Sequence, residues 1–288
     1  MGSKGLMTSK KYIKKPTVRK SNPKSKWIFY LISFVLFLFI AFGVYKFRDG
    51  FLYYLGFKTD KNVATLSKED RKLADIRIYE VLHKHDDKAI GFDVSEYQSK
   101  IDWEQTYHID EAFELSFVFI RATAGKNKKD KQFNRNWEAA KERQLIRGAY
   151  HYYRPNENSI AQAENFIKIV KLEKGDLPPV LDIEKLPKSQ SIDSLKVGLR
   201  RWLKKVEKHY KVKPIIYSGE SYYTDFLKKE FSDYPLWIAN YNFWRNHLEN
   251  DWLFWQFTEK AQIAGIEGMV DLNVFNGDKN KLLLKCIR

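Results

Sequence analysis

From residue 89 onward, short apolar runs alternate with longer amphipathic ones, and this alternation limits the fold more than any other feature of the chain. Ala89–Val94 (AIGFDV), Phe117–Thr123 (FVFIRAT), Gly148–Tyr153 (GAYHYY), Pro179–Glu184 (PVLDIE) and Pro214–Ser218 (PIIYS) read as buried strands. The stretches 133–144, 160–172 and 191–210 between them read as helices. In the last, Leu195, Leu199, Trp202 and Val206 recur at helical spacing after Ser191. Strands separated by helices pair in parallel through crossovers. After a further stretch at 221–231, Leu236–Asn240, Leu253–Phe257 and Met269–Phe275 follow with little helix between them. Eight strands predict an α/β fold in the form of a closed barrel with an irregular second half. An open doubly wound sheet is the alternative, but no Gly-rich phosphate loop follows any strand.

The N-terminal third has a different pattern. Trp27–Tyr45 (WIFYLISFVLFLFIAFGVY) holds nineteen residues without a charge, about the length that crosses a bilayer's hydrocarbon core. Nine Lys or Arg and no acid precede it. The positive-inside tendency therefore predicts a basic cytoplasmic tail over 1–26, a single transmembrane signal-anchor over 27–45 and an exported remainder. A cleaved signal peptide is the alternative, with small residues at Ala41 and Gly43, and would leave a secreted protein. No lipobox-like cysteine is present. Residues 46–87 are expected to form a stalk, with Phe51, Leu52, Tyr53, Tyr54, Leu55 and Phe57 at the membrane surface. Within it a short helix starts at Ser67 as N-cap with Asp70 at N3, and Leu73, Ile76, Val81 and Leu82 supply its apolar face. Residues 88–288 then form the catalytic barrel domain.

Composition narrows the function classes. Net charge is +15, but the nine cations of the tail leave only +6 on the rest, which removes most of the case for a nucleic-acid-binding domain. The single cysteine, Cys286, excludes an intrachain disulfide framework. The six histidines are scattered without ligand spacing, and His151 on an apolar strand reads as a satisfied core residue. No metal and no other cofactor is expected. The run Lys126–Lys131 (KNKKDK) reads as a solvated loop, with gripping of an anionic polymer as its functional alternative.

Acids at strand ends carry the chemistry. Residues i and i+2 of a strand point to one face, so Asp182 and Glu184 point together, their Cβ atoms about 6.6 Å apart along the strand. In a closed barrel that pair faces the C-terminal mouth, where barrel enzymes place their catalytic groups. Two carboxylates in one low-dielectric mouth cannot both ionise freely, so one is expected to serve as a proton donor while the other stays charged. Asp93 ends the first predicted strand and Asp271 lies in the last; closure would bring these strands together. Cleavage of a glycosidic bond needs a proton on the leaving oxygen and stabilisation of positive charge at the anomeric carbon. The short Asp-x-Glu spacing suits a substrate-assisted route, Glu184 acting as the acid and Asp182 orienting the 2-acetamido group of the sugar.

The motifs around these acids fall in a familiar order. Asp93-Val-Ser-Glu-Tyr-Gln98 with Ile101-Asp-Trp103, Phe119-Ile-Arg-Ala-Thr123, Gly148-Ala-Tyr-His-Tyr-Tyr-Arg154 and Leu181-Asp-Ile-Glu184 come first. Pro214-Ile-Ile-Tyr217, Leu236-Trp-Ile-Ala-Asn-Tyr241, Trp255-Gln-Phe257 and Asp271-Leu-Asn-Val-Phe275 follow. Over about residues 89–280 this series resembles glycoside hydrolase family 25, the Chalaropsis-type lysozymes. The resemblance implies an irregular (β/α) barrel with eight strands and five helices, and N-acetylmuramidase activity on the β-1,4 bond from N-acetylmuramic acid to N-acetylglucosamine. It assigns Glu184 as proton donor, Asp182 as its partner, Asp93 and Asp271 as the other acids of the cleft, and Tyr152, Tyr217 and Trp255 as aromatic lining. Glu96-Tyr97 departs from the family pattern, where many members carry His or a small residue. The implied partner is peptidoglycan glycan, reached from the outer side of the cytoplasmic membrane. A catalytically silent glycan-binding barrel and a hydrolase of chitin-like acetamido-glycans are the competing functions.

Overall fold

In a computed structural model of the chain, the described residues are Trp27, 30–38, Phe42, 66–109 and 112–288. The chain divides into two compact units, Met1–Leu55 and Gly56–Arg288. In the first, Trp27, residues 30–38 and Phe42 are helical and solvent-exposed. Among the described residues no helix is long and apolar enough to cross a membrane. The expected basic tail, part of the expected span over 27–45 and the aromatic stretch 51–57 lie outside the described residues.

The first described element of the second unit is helix α1 (Lys68–Lys84), whose N-cap Ser67 side chain accepts from the Asp70 backbone N–H. Its buried face is Arg77, Ile78, Val81 and Leu82. Leu73 and Ile76, expected on that face, are 51% and 41% exposed. The periodicity was misleading there because a cation, Arg77, occupies the docking face. Its guanidinium donates to two backbone carbonyls, which lets a charged group replace an apolar one.

The barrel strands are β1 (Ile90–Val94), β3 (Phe113–Ala124), β5 (Ile146–Tyr152), β6 (Val180–Asp182), β7 (Ile215–Gly219), β8 (Leu236–Ala239), β9 (Phe254–Ala261) and β10 (Val270–Phe275). They lie in the order β1-β10-β9-β8-β7-β6-β5-β3, and β1 pairs with β3 to close the ring. All neighbours are parallel except β10, which runs antiparallel to both β1 and β9. The two-residue strands β2 (His108–Ile109) and β4 (Lys128–Lys129) only extend β3. The closed eight-strand barrel is the expected one.

The helices are more numerous than the five expected. Besides α1, the described residues hold α2 (Phe133–Glu142), α3 (Ser159–Ile169), α4 (Ile192–Tyr210), α5 (Glu220–Tyr222), α6 (Lys228–Phe231) and α7 (Lys279–Leu283). A π turn over Tyr223–Leu227 separates α5 from α6. Helix α7 is a single short segment, started by the Asp278 side chain accepting from Lys281 N–H, and is too short to show a period.

Each strand divides its residues between two cores. Inward-facing Phe117, Phe119, Val180, Ile215, Trp237 and Phe254 fill the barrel, with Phe119 stacked on Trp237 at 4.3 Å. Outward-facing Val118, Ile120, Leu181 and Ile183 pack under Phe166, Leu199 and Trp202 of the helices. The interior has no room to spare: a Cβ on Gly91 would lie 2.4 Å from the Phe117 carbonyl oxygen, and one on Gly148 would lie 2.5 Å from the Phe119 ring. Glycine at these two positions is what admits two phenylalanines to one barrel.

His151 belongs to the outer core. It faces away from the barrel axis, stacked on Trp202 at 5.5 Å, with Nδ1 2.7 Å from the Thr123 hydroxyl and Nε2 3.2 Å from Gln162 Oε1. The Gln162 oxygen can only accept, so Nε2 carries the proton and Nδ1 accepts from Thr123. Burial lowers the His151 pKa to about 4, against the opposing Gln162 bond. A folded pKa below the unfolded value of about 6.5 means that the unfolded chain binds more protons between these values. The associated stability is complete above pH 6.5 and is lost as pH falls toward 4. The predicted loss is on the order of 3 kcal/mol. Urea unfolding of wild type and His151→Gln at pH 7 and pH 5 checks this: the wild type is expected to lose far more stability than the variant across that interval.

Candidate active site

The C-terminal end of the barrel carries a polar layer above the phenylalanine-filled interior, and strand alternation puts it there. Asp182 is the last residue of β6, but the extended backbone continues: Ile183 N–H donates to Tyr217 O at 3.0 Å and Ile183 O accepts from the Ser218 hydroxyl at 2.7 Å. Ile183 is completely buried in the outer core. Asp182 and Glu184 therefore share the inner face, Asp182 buried and Glu184 half-buried.

The lateral register builds the rest of this wall. Tyr152 on β5 and Tyr217 on β7 are the direct neighbours of Asp182, so the three form a row across adjacent strands. Burial raises the Tyr152 pKa above the ordinary phenol value, and the Glu184 and Asp182 carboxylates raise it further. Its hydroxyl is thus a neutral donor beside both acids. Tyr150, two residues earlier on the same face, is pushed well above its usual value by burial; Arg121 opposes the shift, and Asp93 and Asp182 add to it. The phenol thus lies within the electrostatic reach of acids from opposite walls of the mouth.

The opposite wall is the closure of the barrel. Asp93 on β1 stands opposite Asp271 on β10 in the antiparallel register, and both are buried. The Asp93 carboxylate accepts from Gln256 Nε2 at 2.7 Å and from Asn273 Nδ2 at 2.9 Å. Gln256 Oε1 accepts from the Tyr217 hydroxyl at 2.7 Å and from the Tyr241 hydroxyl. Asn273 Oδ1 accepts from Trp237 Nε1 at 2.7 Å. Side chains from β1, β7, β8, β9 and β10, and from the loop after β8, thus meet in one hydrogen-bonded layer around a buried carboxylate.

Of the residues expected in the site, Asp93, Asp182, Glu184, Asp271, Tyr152 and Tyr217 all face this mouth. Trp255 does not. It is completely buried on the outer face of β9, edge-on to His85 at 6.1 Å and with Nε1 donating to Asn240 O at 3.0 Å. Its neighbour Gln256 takes the inward position. This corrects the expectation that Trp255 lines the groove, and the reason is the period of two: Phe254 fills the barrel, so Trp255 must point out. Gln256, Asn273, Tyr150 and Tyr241 are site residues that the sequence reading did not select. The i, i+2 rule that paired 182 with 184 also pairs 271 with 273 and 150 with 152.

Glu96 lies in the 3₁₀ turn Glu96–Gln98, next to the mouth. Burial disfavours its ionised form, but hydrogen bonds from Lys128 and the Lys131 backbone, with the charge of Arg121, hold its pKa below the usual value. Arg121 itself bonds Asp130 at 2.9 Å and lies 4.7 Å from the exposed Tyr97 ring. This departure from the family pattern is therefore a self-neutralised rim of the cleft. Among the described residues no group of three or more His, Cys, Asp or Glu side chains is arranged to hold a metal ion. Cys286 is buried, its pKa raised to about 11 by burial and Asp176.

The profile of Glycosyl hydrolases family 25 matches residues 92–266. YegX of Escherichia coli K12 is 42% identical over 196 residues, covering 67% of this chain and 71% of that protein. Lysozyme M1 of Streptomyces globisporus is 32% identical over 208 residues, 67% of this chain and 69% of the other. Among solved structures, a family 25 glycosyl hydrolase from Bacillus anthracis superposes with a TM-score of 0.61 at 31% identity, covering 68% of this chain and 93% of that one. The mouth of acids, the closed barrel and the extent of these matches agree: the chain belongs to glycosyl hydrolase family 25 and is a glycosidase of the lysozyme type.

Proposed function

We propose that this glycosidase is an N-acetylmuramidase acting on peptidoglycan at the outer face of the cytoplasmic membrane. Its cut is the β-1,4 bond between N-acetylmuramic acid and N-acetylglucosamine. Glu184 protonates the leaving glycosidic oxygen. Asp182 orients the 2-acetamido group, whose carbonyl oxygen attacks the anomeric carbon, and water then releases the reducing sugar. Asp93 and Asp271 complete the acid mouth, with Tyr152 and Tyr217 along its wall. No metal or cofactor takes part in these steps. The observation that carries the reading is the shared inner face of Asp182 and Glu184 at the end of β6, with Tyr152 as the lateral neighbour of Asp182. The similarity to Lysozyme M1 supports the same substrate class.

The membrane context rests on the uncharged run Trp27–Tyr45 behind nine cations. In this reading residues 1–26 stay in the cytoplasm and the barrel works on the wall side. Protease added to spheroplasts is expected to digest the barrel domain and spare a tag at the N-terminus. A barrel protected until the membrane is permeabilised contradicts this topology, and a barrel shed into the medium points to signal cleavage.

The catalytic assignment is tested by steady-state kinetics on purified peptidoglycan strands. Glu184→Gln is expected to lower kcat by roughly 10²–10⁴, the usual worth of a positioned acid, without loss of folded protein. Asp182→Asn is expected to lower kcat as well; turnover equal to wild type would remove Asp182 from the mechanism.

A further inference from the structure

The loop between β8 and β9, residues 240–253, leaves the strand end that opens on the mouth. Arg245 in this loop pairs at 3.2 Å with Glu220, the first residue after β7, so the loop stands beside the neighbouring β7 exit at the C-terminal end of the barrel. Tyr241 reaches from it to Gln256, the amide that donates to Asp93. Trp244, three residues on, is 81% exposed, with Phe243 edge-on at 5.2 Å. An indole so fully in water presents a rigid apolar face, of the shape that receives the C–H face of a sugar ring.

The loop is held from beneath by a helix outside the family-matched region of 92–266. Arg77 of α1 is buried, and its Nη1 donates to Phe243 O at 2.7 Å and to Arg245 O at 2.8 Å. Its guanidinium lies 5.9 Å from the centre of the Trp255 ring, whose Nε1 holds Asn240 O at 3.0 Å. His85, the C-cap of α1, places Nε2 3.2 Å from Asn246 O, and Lys84 donates to the Asn246 side chain at 2.9 Å. Four carbonyls within residues 240–246 are thus fixed by side chains of α1, its cap and the strand below. Surface loops usually leave such carbonyls to water. A helix needs no buried cation to dock on a sheet, and desolvating a guanidinium is costly unless its partners are well placed. Burial lowers the Arg77 pKa to about 10, with Glu80 opposing, which leaves it cationic at neutral pH.

We infer that Arg77 is a positioning residue for glycan binding: it fixes the β8–β9 loop so that Trp244 stands as a sugar-stacking platform at the rim of the mouth. Trp255 then has a role of its own, as the inner half of the same brace. The inference rests on the glycan-cleaving reading above.

The test uses the full chain in detergent, with Arg77→Met, Arg77→Lys, Trp244→Ala and the Arg77→Met/Trp244→Ala double variant. Two readouts are taken: kinetics on soluble peptidoglycan strands, and the rate of tryptic cleavage after Arg245, whose carbonyl Arg77 holds. Trp244→Ala is expected to raise KM about tenfold with kcat within about twofold and no change in melting temperature. Arg77→Met is expected to raise KM similarly and to speed cleavage after Arg245 by about tenfold. Arg77→Lys, which keeps the charge and some donors, falls between wild type and Arg77→Met and serves if Arg77→Met fails to fold. The double variant is expected to bind no worse than Arg77→Met alone, because a displaced loop already forfeits the platform. Wild-type cleavage after Arg245 in both Arg77 variants overturns the brace. An active wild type with unmoved KM in Trp244→Ala overturns the platform alone. A wild type inactive on every peptidoglycan preparation overturns the proposed function and the platform with it, while the tryptic rates still judge the brace.

Discussion

A buried carboxylate at the seam of the barrel organises the mouth. Asp93 lies where β1 meets β10, opposite a second buried acid, Asp271. An ionised carboxylate in such a place is costly unless hydrogen bonds replace its water. Gln256 and Asn273 supply two, and their own carbonyl oxygens pass the connection to Tyr217, Tyr241 and Trp237. Breaking one of these amide bonds would leave a buried acceptor short of a partner, at about 1–3 kcal/mol or more for a charged group. The layer is therefore rigid by necessity, and Tyr217 and Tyr241 take their positions from it.

The other wall depends on backbone rather than on a network. Parallel pairing of β5, β6 and β7 aligns Tyr152, Asp182 and Tyr217 in one row, and the extended backbone through Ile183 returns Glu184 to the same face. Below them, Phe117, Phe119 and Trp237 fill the interior up to the polar layer. An apolar floor of this kind strengthens every charge interaction above it.

Much of this was legible in the chain itself, and the misses have physical causes. The eight barrel strands stood out because each is a short run bounded by a break in period, and Asp182 with Glu184 followed from the alternation of side chains. Trp255 shares a motif with a site residue yet points outward, because Phe254 fills the barrel and the period of two then turns Gln256 to the site. Asn273 and Tyr150 follow from the same rule applied one step further. The buried face of α1 was not legible in the same way. A guanidinium on the docking face breaks the apolar period, and its partners, the carbonyls of Phe243 and Arg245, are more than 160 residues away in sequence. Long-range contacts of backbone with a single side chain leave no local pattern to read.

These elements describe one device: a barrel closed around a buried acid, with two further acids, Asp182 and Glu184, on one face of the facing strand. The central claim is the bond that the device cuts. Mass spectrometry of peptidoglycan digested by the purified chain tests it most directly. Products ending in reducing N-acetylmuramic acid are the predicted result, whereas products ending in reducing N-acetylglucosamine would contradict the account.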